Sequence, residues 1–291
     1  MRNLRIAPVI AVLIAVGALA VCGAVPANTS PALASETRVQ LKPEVAELIK
    51  QSTDTYKKMK SYRHTAKWRL IIPADGGEAH EDANFTLALE RPNRFVYKMD
   101  SQSRVLPPVA AYCDGKTFIN FKAKFNPTPV KQYIKVKAPE SYAGINIVDD
   151  VEFRPIGTYI IALMLQGDAL ADKDVRLALE KATVKPTVME NGKKWHVLEM
   201  PFGTDETPIT VYIGHDDHLI GKSVQKGDPK KGEPKITEQI EGIKIDNPIG
   251  PASFQYDLPA DAKQVERFSA PQRPTDAMRR AKPGQSARNV S

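Results

Sequence analysis

Two neighbouring stretches, ERPNRFVYKM (90–99) and CDGKTFINF (113–121), decide how this chain is read. Pro92-Asn93 makes a corner, and residues 94–99 run on from it as a strand. Pro107-Pro108 ends or bends the strand that follows, and Asp114-Gly115 is a strong two-residue hairpin signal. Neither stretch holds an obvious nucleophile, a metal cluster or a phosphate loop. Their content is turn chemistry between extended runs.

The same grammar continues on both sides. TAKWRLII (65–72) leads through an ADGGE turn to NFTLALE (84–90), where Phe85, Leu87 and Leu89 alternate with small or polar residues. Alternation of period two marks a half-buried antiparallel strand. KTFINFK and KQYIKVK complete a first group of strands. A second group begins near TVKPTVM, turns at Asn191-Gly192 into KWHVLEM, and turns again at His215-Asp216-Asp217-His218 between ITVYI and LIGKSVQ. KITEQIEGIKI is a last long strand, and FQYDLPADAKQV an extended finish.

Helices are few. Pro43 opens one in which Val45, Leu48, Ile49, Tyr56 and Met59 recur mainly at helical spacing, with proline tolerated in the first turn. Ile156 to Gln166 (IGTYIIALMLQ) is too apolar for a surface helix, and Gly167-Asp168 closes it. Ala169 to Glu180 reads as a further helix. Strands on both sides of an apolar helical insert indicate an α+β fold, mainly β. It is one strongly curved antiparallel sheet with helices packed on its concave side.

The first 34 residues read as a targeting segment. Arg2 and Arg5 precede an apolar run from Ile6 to Val25, and Ala32-Leu33-Ala34 before Ser35 is a small-x-small cleavage pattern, the sequence form of a secretory signal peptide. Cys22 offers an alternative, since Leu19-Ala20-Val21-Cys22 resembles a lipobox that would leave a lipid-anchored protein. With cleavage after residue 34, Cys113 is the only cysteine left, so no internal disulfide forms, and it reads as a buried strand residue. Residues 35–268 are expected to be one domain and 269–291 a basic disordered tail.

The net charge of +7 is misleading. Arg2 and Arg5 leave with the signal, and the stretch from Gln272 to Ser291 carries five basic residues against Asp276. The body between them is close to neutral. The tail allows peripheral contact with anionic lipid, but no aromatic residues stand beside its charges to stack on bases, which argues against nucleic acid.

Catalytic chemistry finds no foothold. The G-x-S-x-G elbow, the P-loop, the dinucleotide fingerprint and H-E-x-x-H do not occur. Asp149, Asp150 and Glu152 are adjacent carboxylates on a loop, which are ordinarily solvated. His215 and His218 flank a four-residue turn that is expected to point them apart, and His196 reads as an ordinary strand residue. No catalytic residue, metal or cofactor is assigned.

The order of elements resembles the LolA-like superfamily, which includes outer-membrane lipoprotein carriers, their acceptors and sigma-factor regulators, along with uncharacterised periplasmic proteins. The resemblance rests on Arg91-Pro92-Asn93-Arg94-Phe95, on Cys113-Asp114-Gly115-Lys116-Thr117, and on Phe254 with Pro259-Ala260-Asp261-Ala262, and runs from about Pro43 to Val265. It implies an unclosed β-barrel whose concave side is plugged by helices. It also implies a periplasmic, monomeric, non-enzymatic protein holding lipoprotein acyl chains, a lipid or another apolar ligand. The alternative is a regulatory or scaffold domain that binds an envelope protein partner.

Ligand-lining candidates are the apolar strand residues Trp68, Leu70, Phe85, Leu87, Phe95, Tyr97, Phe118 and Tyr133, with Ile160, Leu163 and Met164 of the apolar helix. Each serves equally well as packed core. Arg91 is expected to act on the sheet corner.

Overall fold

The computed structural model describes residues 40–74, 77–101, 108–123, 131–142, 155–202, 207–227 and 234–268. The targeting segment with Cys22, the 269–291 tail and the carboxylates Asp149, Asp150 and Glu152 lie outside the described residues. Val39–Phe268 form one compact unit.

The chain begins with helix α1 (Pro43–Lys58), then β1 (Ser61–Ala74), β2 (Gly77–Glu90), β3 (Arg94–Ser101), β4 (Val109–Asp114), β5 (Thr117–Lys122) and β6 (Gln132–Lys137). Helices α2 (Ile156–Gln166) and α3 (Lys173–Glu180) follow. The chain ends with β7 (Thr183–Glu190), β8 (Lys193–Phe202), β9 (Thr207–Gly214), β10 (Ile220–Lys226), β11 (Lys235–Ile245) and the two-residue β12 (Lys263–Gln264). Twelve strands make one sheet in the order β12-β6-β5-β4-β3-β2-β1-β11-β10-β9-β8-β7. The sheet is not closed: β7 and β12 are its two edges. β11 pairs with β1, so the two meander halves join through a contact between residues far apart in the chain.

Among the described residues all strand pairings are antiparallel except one. β12 runs parallel to β6, with Lys263 opposite Gln132 and Gln264 opposite Tyr133, a departure from the all-antiparallel expectation. The reason lies in the extended finish. After a 3-10 turn at Pro251–Phe254 the chain crosses the outer face of the sheet as a strap and reaches the β6 edge running parallel to it. Its anchors are Ile249 and Phe254, buried with Ala88, Val96, Ala110, Tyr112 and Phe121, while Tyr256 stacks on Tyr112 at 4.7 Å between ring centroids. Residues 255–262 are otherwise not strand.

Period-two alternation therefore feeds two apolar layers. Phe85, Leu87 and Leu89 of β2 and Phe95, Tyr97 and Met99 of β3 point inward, whereas Ala88 and Val96 between them point out under the strap. Cys113 is inward and fully buried, as expected of it. The helices lie on the inner face: α1 packs on α2, α2 on β10 and β11, and α3 on β8. α1 buries Val45, Leu48, Ile49, Ser52 and Tyr56, one stripe of helical spacing. α2 buries ten of its eleven residues, every one except Gln166, and ends at Gly167, whose φ of 91° suits a residue without a Cβ. α3 starts four residues later than the pattern suggests because Asp172 caps it, its carboxylate accepting from the Val175 N–H.

The 91–94 corner is a junction between layers. Asn93 Nδ2 donates to the carbonyls of Gly115 and Pro139 at 3.2 and 2.7 Å, and the Tyr142 N–H donates to the Pro92 carbonyl at 2.7 Å. A Cβ on Gly115 (φ 93°) would lie 3.2 Å from Asn93 Oδ1. The Arg-Pro-Asn-Arg corner and the Asp-Gly turn are thus one packed unit, which is why the two motifs occur together.

The strap should be a stability element. Phe254→Ala is expected to lower unfolding free energy by about 3 kcal/mol, the usual scale for deleting a buried phenylalanine side chain. Urea denaturation checks this, and a loss below about 1 kcal/mol would mean the strap is not part of the cooperative fold.

Candidate functional site: the covered inner face

The inner face is where the sequence candidates gather. Trp68, Leu70, Phe85, Leu87, Phe95, Tyr97, Ile160, Leu163 and Met164 belong to one continuous buried cluster, with Phe118 packed partly buried against it. Tyr133 does not join them. It packs in the outer cluster beneath the strap, because its strand position has the opposite parity to that of the inward-facing residues. Phe85 and Tyr97 lie 6.0 Å apart, and Phe95 meets Tyr142, a buried residue the sequence reading did not single out.

Polar contacts hold α2 at its two ends. At its C-terminus, Arg91 Nη2 donates to the Leu165 carbonyl at 2.8 Å while Nε donates to the Met59 carbonyl, also at 2.8 Å. One guanidinium thus ties the ends of α2 and α1 together, satisfying carbonyls that a helix C-terminus leaves open and placing a positive charge where the helix dipole favours one. Arg91 therefore does more than shape the sheet corner, which corrects the expectation for it. The side chain reaches back from the corner to both helices.

At the N-terminus of α2, Glu238 of β11 accepts from the backbone N–H of Gly157 at 2.7 Å and of Thr158 at 2.9 Å, and from the hydroxyls of Ser223 at 2.8 Å and Thr158. A Cβ at Gly157 would sit 2.7 Å from Glu238 Oε2, so glycine allows this approach. Glu238 is 1% exposed, and burial pushes its carboxyl above the ordinary range.

The polar line continues inward. Thr158 Oγ1 lies 3.1 Å from His64 Nε2, and His64 Nδ1 lies 3.0 Å from the Tyr62 hydroxyl. Tyr62 packs edge-on against Tyr56, whose hydroxyl accepts from the Ile220 N–H at 3.0 Å. Glu238, Thr158, His64, Tyr62 and Tyr56 thus connect β11, α2, β1 and α1 within an otherwise apolar layer. The sequence held a faint sign of this. His64 and Glu238 fall on the apolar parity of their strands, between Tyr62 and Ala66 and between Ile236 and Ile240.

The histidine turn also differs from its reading. The His196 ring is stacked with His215 at 4.7 Å and with His218 at 6.4 Å, within 18° and 9° of parallel. The three gather because β8 pairs with β9 and brings His196 beside the β9–β10 turn. Stacked rings direct their nitrogen lone pairs alongside one another, not toward a common point. Among the described residues no group of three His, Cys, Asp or Glu is arranged to hold a metal.

Two outcomes follow. Arg91→Leu removes two charge-assisted bonds, each worth roughly 1.5–3 kcal/mol. It should raise amide exchange in α2 and the end of α1 while leaving the strand signal in circular dichroism intact; exchange confined to the 90–94 corner would count against the tie. Burial lowers the His64 pKa from 6.5 to about 3, so the unfolded chain takes up the proton first. His64 therefore contributes stability that is fully present above pH 6.5 and is lost as pH falls toward about 3. NMR should show no second proton on the ring from about pH 8 to 5, and an ordinary imidazole protonation near pH 6.5 would mean that water reaches the ring.

No curated protein matches the chain. Among solved structures it is similar to an uncharacterized conserved protein from Thermus thermophilus, at 10% identity over 76% of this chain and 99% of that one, with a TM-score of 0.42. A LolA superfamily protein from Nitrosomonas europaea aligns at 8% identity over 73% and 97%, with a TM-score of 0.30. The Pseudomonas aeruginosa MucA/MucB complex aligns at 10% identity over 74% and 61%, with a TM-score of 0.38. The family model described as "Predicted periplasmic protein (DUF2092)" matches residues 45–267, and the chain belongs to that family.

Proposed function

We propose that this protein is an exported, non-enzymatic binding protein whose inner face receives an acyl chain of a lipid or lipoprotein. The observation that carries the reading is the construction of α2. A largely apolar helix lies against an apolar sheet face, and its polar ties are few: Glu238 and His64 at its first turn, the Tyr159 hydroxyl donating to Asp172, and Arg91 at its C-terminus. Dispersion contacts between such surfaces are non-directional, so an alkyl chain can replace helix contacts without leaving polar groups unpaired. Each buried CH₂ contributes roughly 0.8 kcal/mol, so a single chain of ordinary length supplies ample affinity without catalytic groups. Trp68, Leu70, Phe85, Leu87, Phe95, Tyr97, Phe118, Ile160, Leu163 and Met164 would line the site. Tyr133 would not, since it lies on the strap side of the sheet.

A second reading, docking of an envelope protein, draws on the edge strand β7. Met189 is 68% exposed there and Val188 39%, and an edge strand has backbone groups free to pair with another chain.

Native mass spectrometry of the protein purified without detergent, before and after adding a fatty acid or diacyl lipopeptide, tests the first reading. A bound acyl species at fixed stoichiometry is expected, together with loss of uptake in Leu163→Asp at unchanged strand content. A clean unliganded mass that takes up neither probe would overturn it and leave the protein-docking reading. Uptake unaffected by Leu163→Asp would remove α2 from the binding site.

A further inference from the structure

The end of α2 that rests on Glu238 is chemically unlike the end held by Arg91. A guanidinium keeps its proton at every accessible pH. The carboxyl of Glu238 and the imidazole of His64, bridged by Thr158, are both titratable and both buried. The remaining titratable groups facing them are Tyr62 of β1 and Tyr56 of α1, and burial pushes both phenols up, so they stay neutral. From α2 come only the Thr158 hydroxyl and the N–H groups of Gly157 and Thr158; from β10 comes the Ser223 hydroxyl. The hydrogen-bond partners of the Glu238 carboxyl are hydroxyls and backbone N–H groups, with no lysine or arginine among them.

The hydrogen bonds run in a consistent direction with one proton on the carboxyl. Glu238 then donates to Thr158 Oγ1, Thr158 donates to His64 Nε2, and His64 carries its own proton on Nδ1, facing the Tyr62 oxygen. Removing the carboxyl proton to solvent reverses the line. Thr158 donates to the carboxylate, His64 Nε2–H donates to Thr158, and Tyr62 donates to Nδ1. The imidazole keeps one proton throughout and changes tautomer. Adding a proton to the neutral line gives an imidazolium instead. Each charged form leaves a buried charge without a counter-charge, and lifting the α2 N-terminus lets water reach it.

We propose that Glu238 and His64 form a proton-balanced catch on the N-terminus of α2, which holds the helix down while the pair carries no net charge and loosens when either member becomes charged. The catch supplies the acyl-binding reading with a trigger and rests on that reading for its purpose. Its test uses lipid-free protein, so catch and lipid uptake can fail separately.

Each group's direction follows from its burial. Glu238 is shifted upward from 4.5, so its hold is present below that value and is lost as pH rises through its folded pKa. His64 is shifted downward from 6.5, so its hold is present above that value and is lost as pH falls toward about 3. The catch requires the buried Glu238 carboxyl to keep its proton past the point where an unfolded imidazole loses its own, and the two dependences then oppose and cancel between 4.5 and 6.5. The closed state should therefore show a plateau there, with exchange rising about tenfold per pH unit on either side.

The experiment is hydrogen–deuterium exchange of residues 156–161, corrected for the intrinsic pH dependence of exchange, from about pH 4 to 9. The plateau and both limbs are expected in the wild type. Glu238→Gln should abolish the alkaline limb and extend the acid limb up to about pH 6.5, whatever its absolute protection. His64→Phe should abolish the acid limb and start the alkaline one near pH 4.5. Ser223→Ala removes a donor that favours the ionised carboxyl, and should move the upper end of the alkaline limb up by about one pH unit. It also decides the matter if Glu238→Gln does not fold. Protection that does not change with pH in the wild type, or limbs that persist unchanged in these variants, overturns the proposal.

Discussion

A helix with no polar side is a constraint on everything around it. Only Gln166 of α2 is not buried, and a segment of that kind can persist in water only if other elements cover it. The curved sheet supplies one wall, α1 another, and α3 closes beside β8. Burial of this kind holds the helix in place but aims it poorly, since apolar contact is non-directional. Direction comes from its ends, where Glu238 accepts from the first backbone N–H groups and Arg91 donates to the Leu165 carbonyl.

An acidic side chain stands at the N-terminus and a basic one at the C-terminus, but only Arg91 brings a full charge to the helix dipole, and their settings differ. Arg91 grows from the junction of Pro92, Asn93 and Gly115, so the hold on the C-terminus is tied to the most crowded turn of the sheet. Glu238 sits in the middle of β11, in a layer otherwise apolar, and is satisfied by hydroxyls and N–H groups alone. A carboxyl in such a place is a weak source of stability compared with an apolar residue of similar volume. Its presence fits a helix meant to be held at one end more conditionally than at the other.

The outer face follows a different logic. An open sheet with apolar residues on both faces leaves one face wet unless something covers it, and the chain uses its own end for that. The strap buries Phe254 and Ile249 over β2–β5 and then pairs with β6 as β12. One of the two free edges is thereby occupied from within. The other, β7, carries Lys185 and Pro186, which discourage indiscriminate strand pairing, beside the exposed Val188 and Met189.

The sequence by itself determined the strand periods, the turns at Asn93, Gly115 and Asn191-Gly192, the two principal helices, and the open-barrel resemblance. These are local properties: backbone period, φ preference and capping act over a few residues. That seven of the eight strand candidates share one face follows from a common parity along each strand, which is visible in the chain itself. Tyr133 was misplaced because parity identifies two faces without saying which is inner. Partnership across the chain was decided by tertiary structure alone. Arg91 meets Leu165, His64 meets Glu238 through Thr158, and His196 meets His215 and His218 only because strand order places β1 beside β11 and β8 beside β9. The hydrogen bonds of Arg91 to Leu165 and of Thr158 to His64 and Glu238 depend on contacts of a few ångströms between residues 74 to 94 positions apart in the chain, and no pattern of local periodicity encodes those meetings.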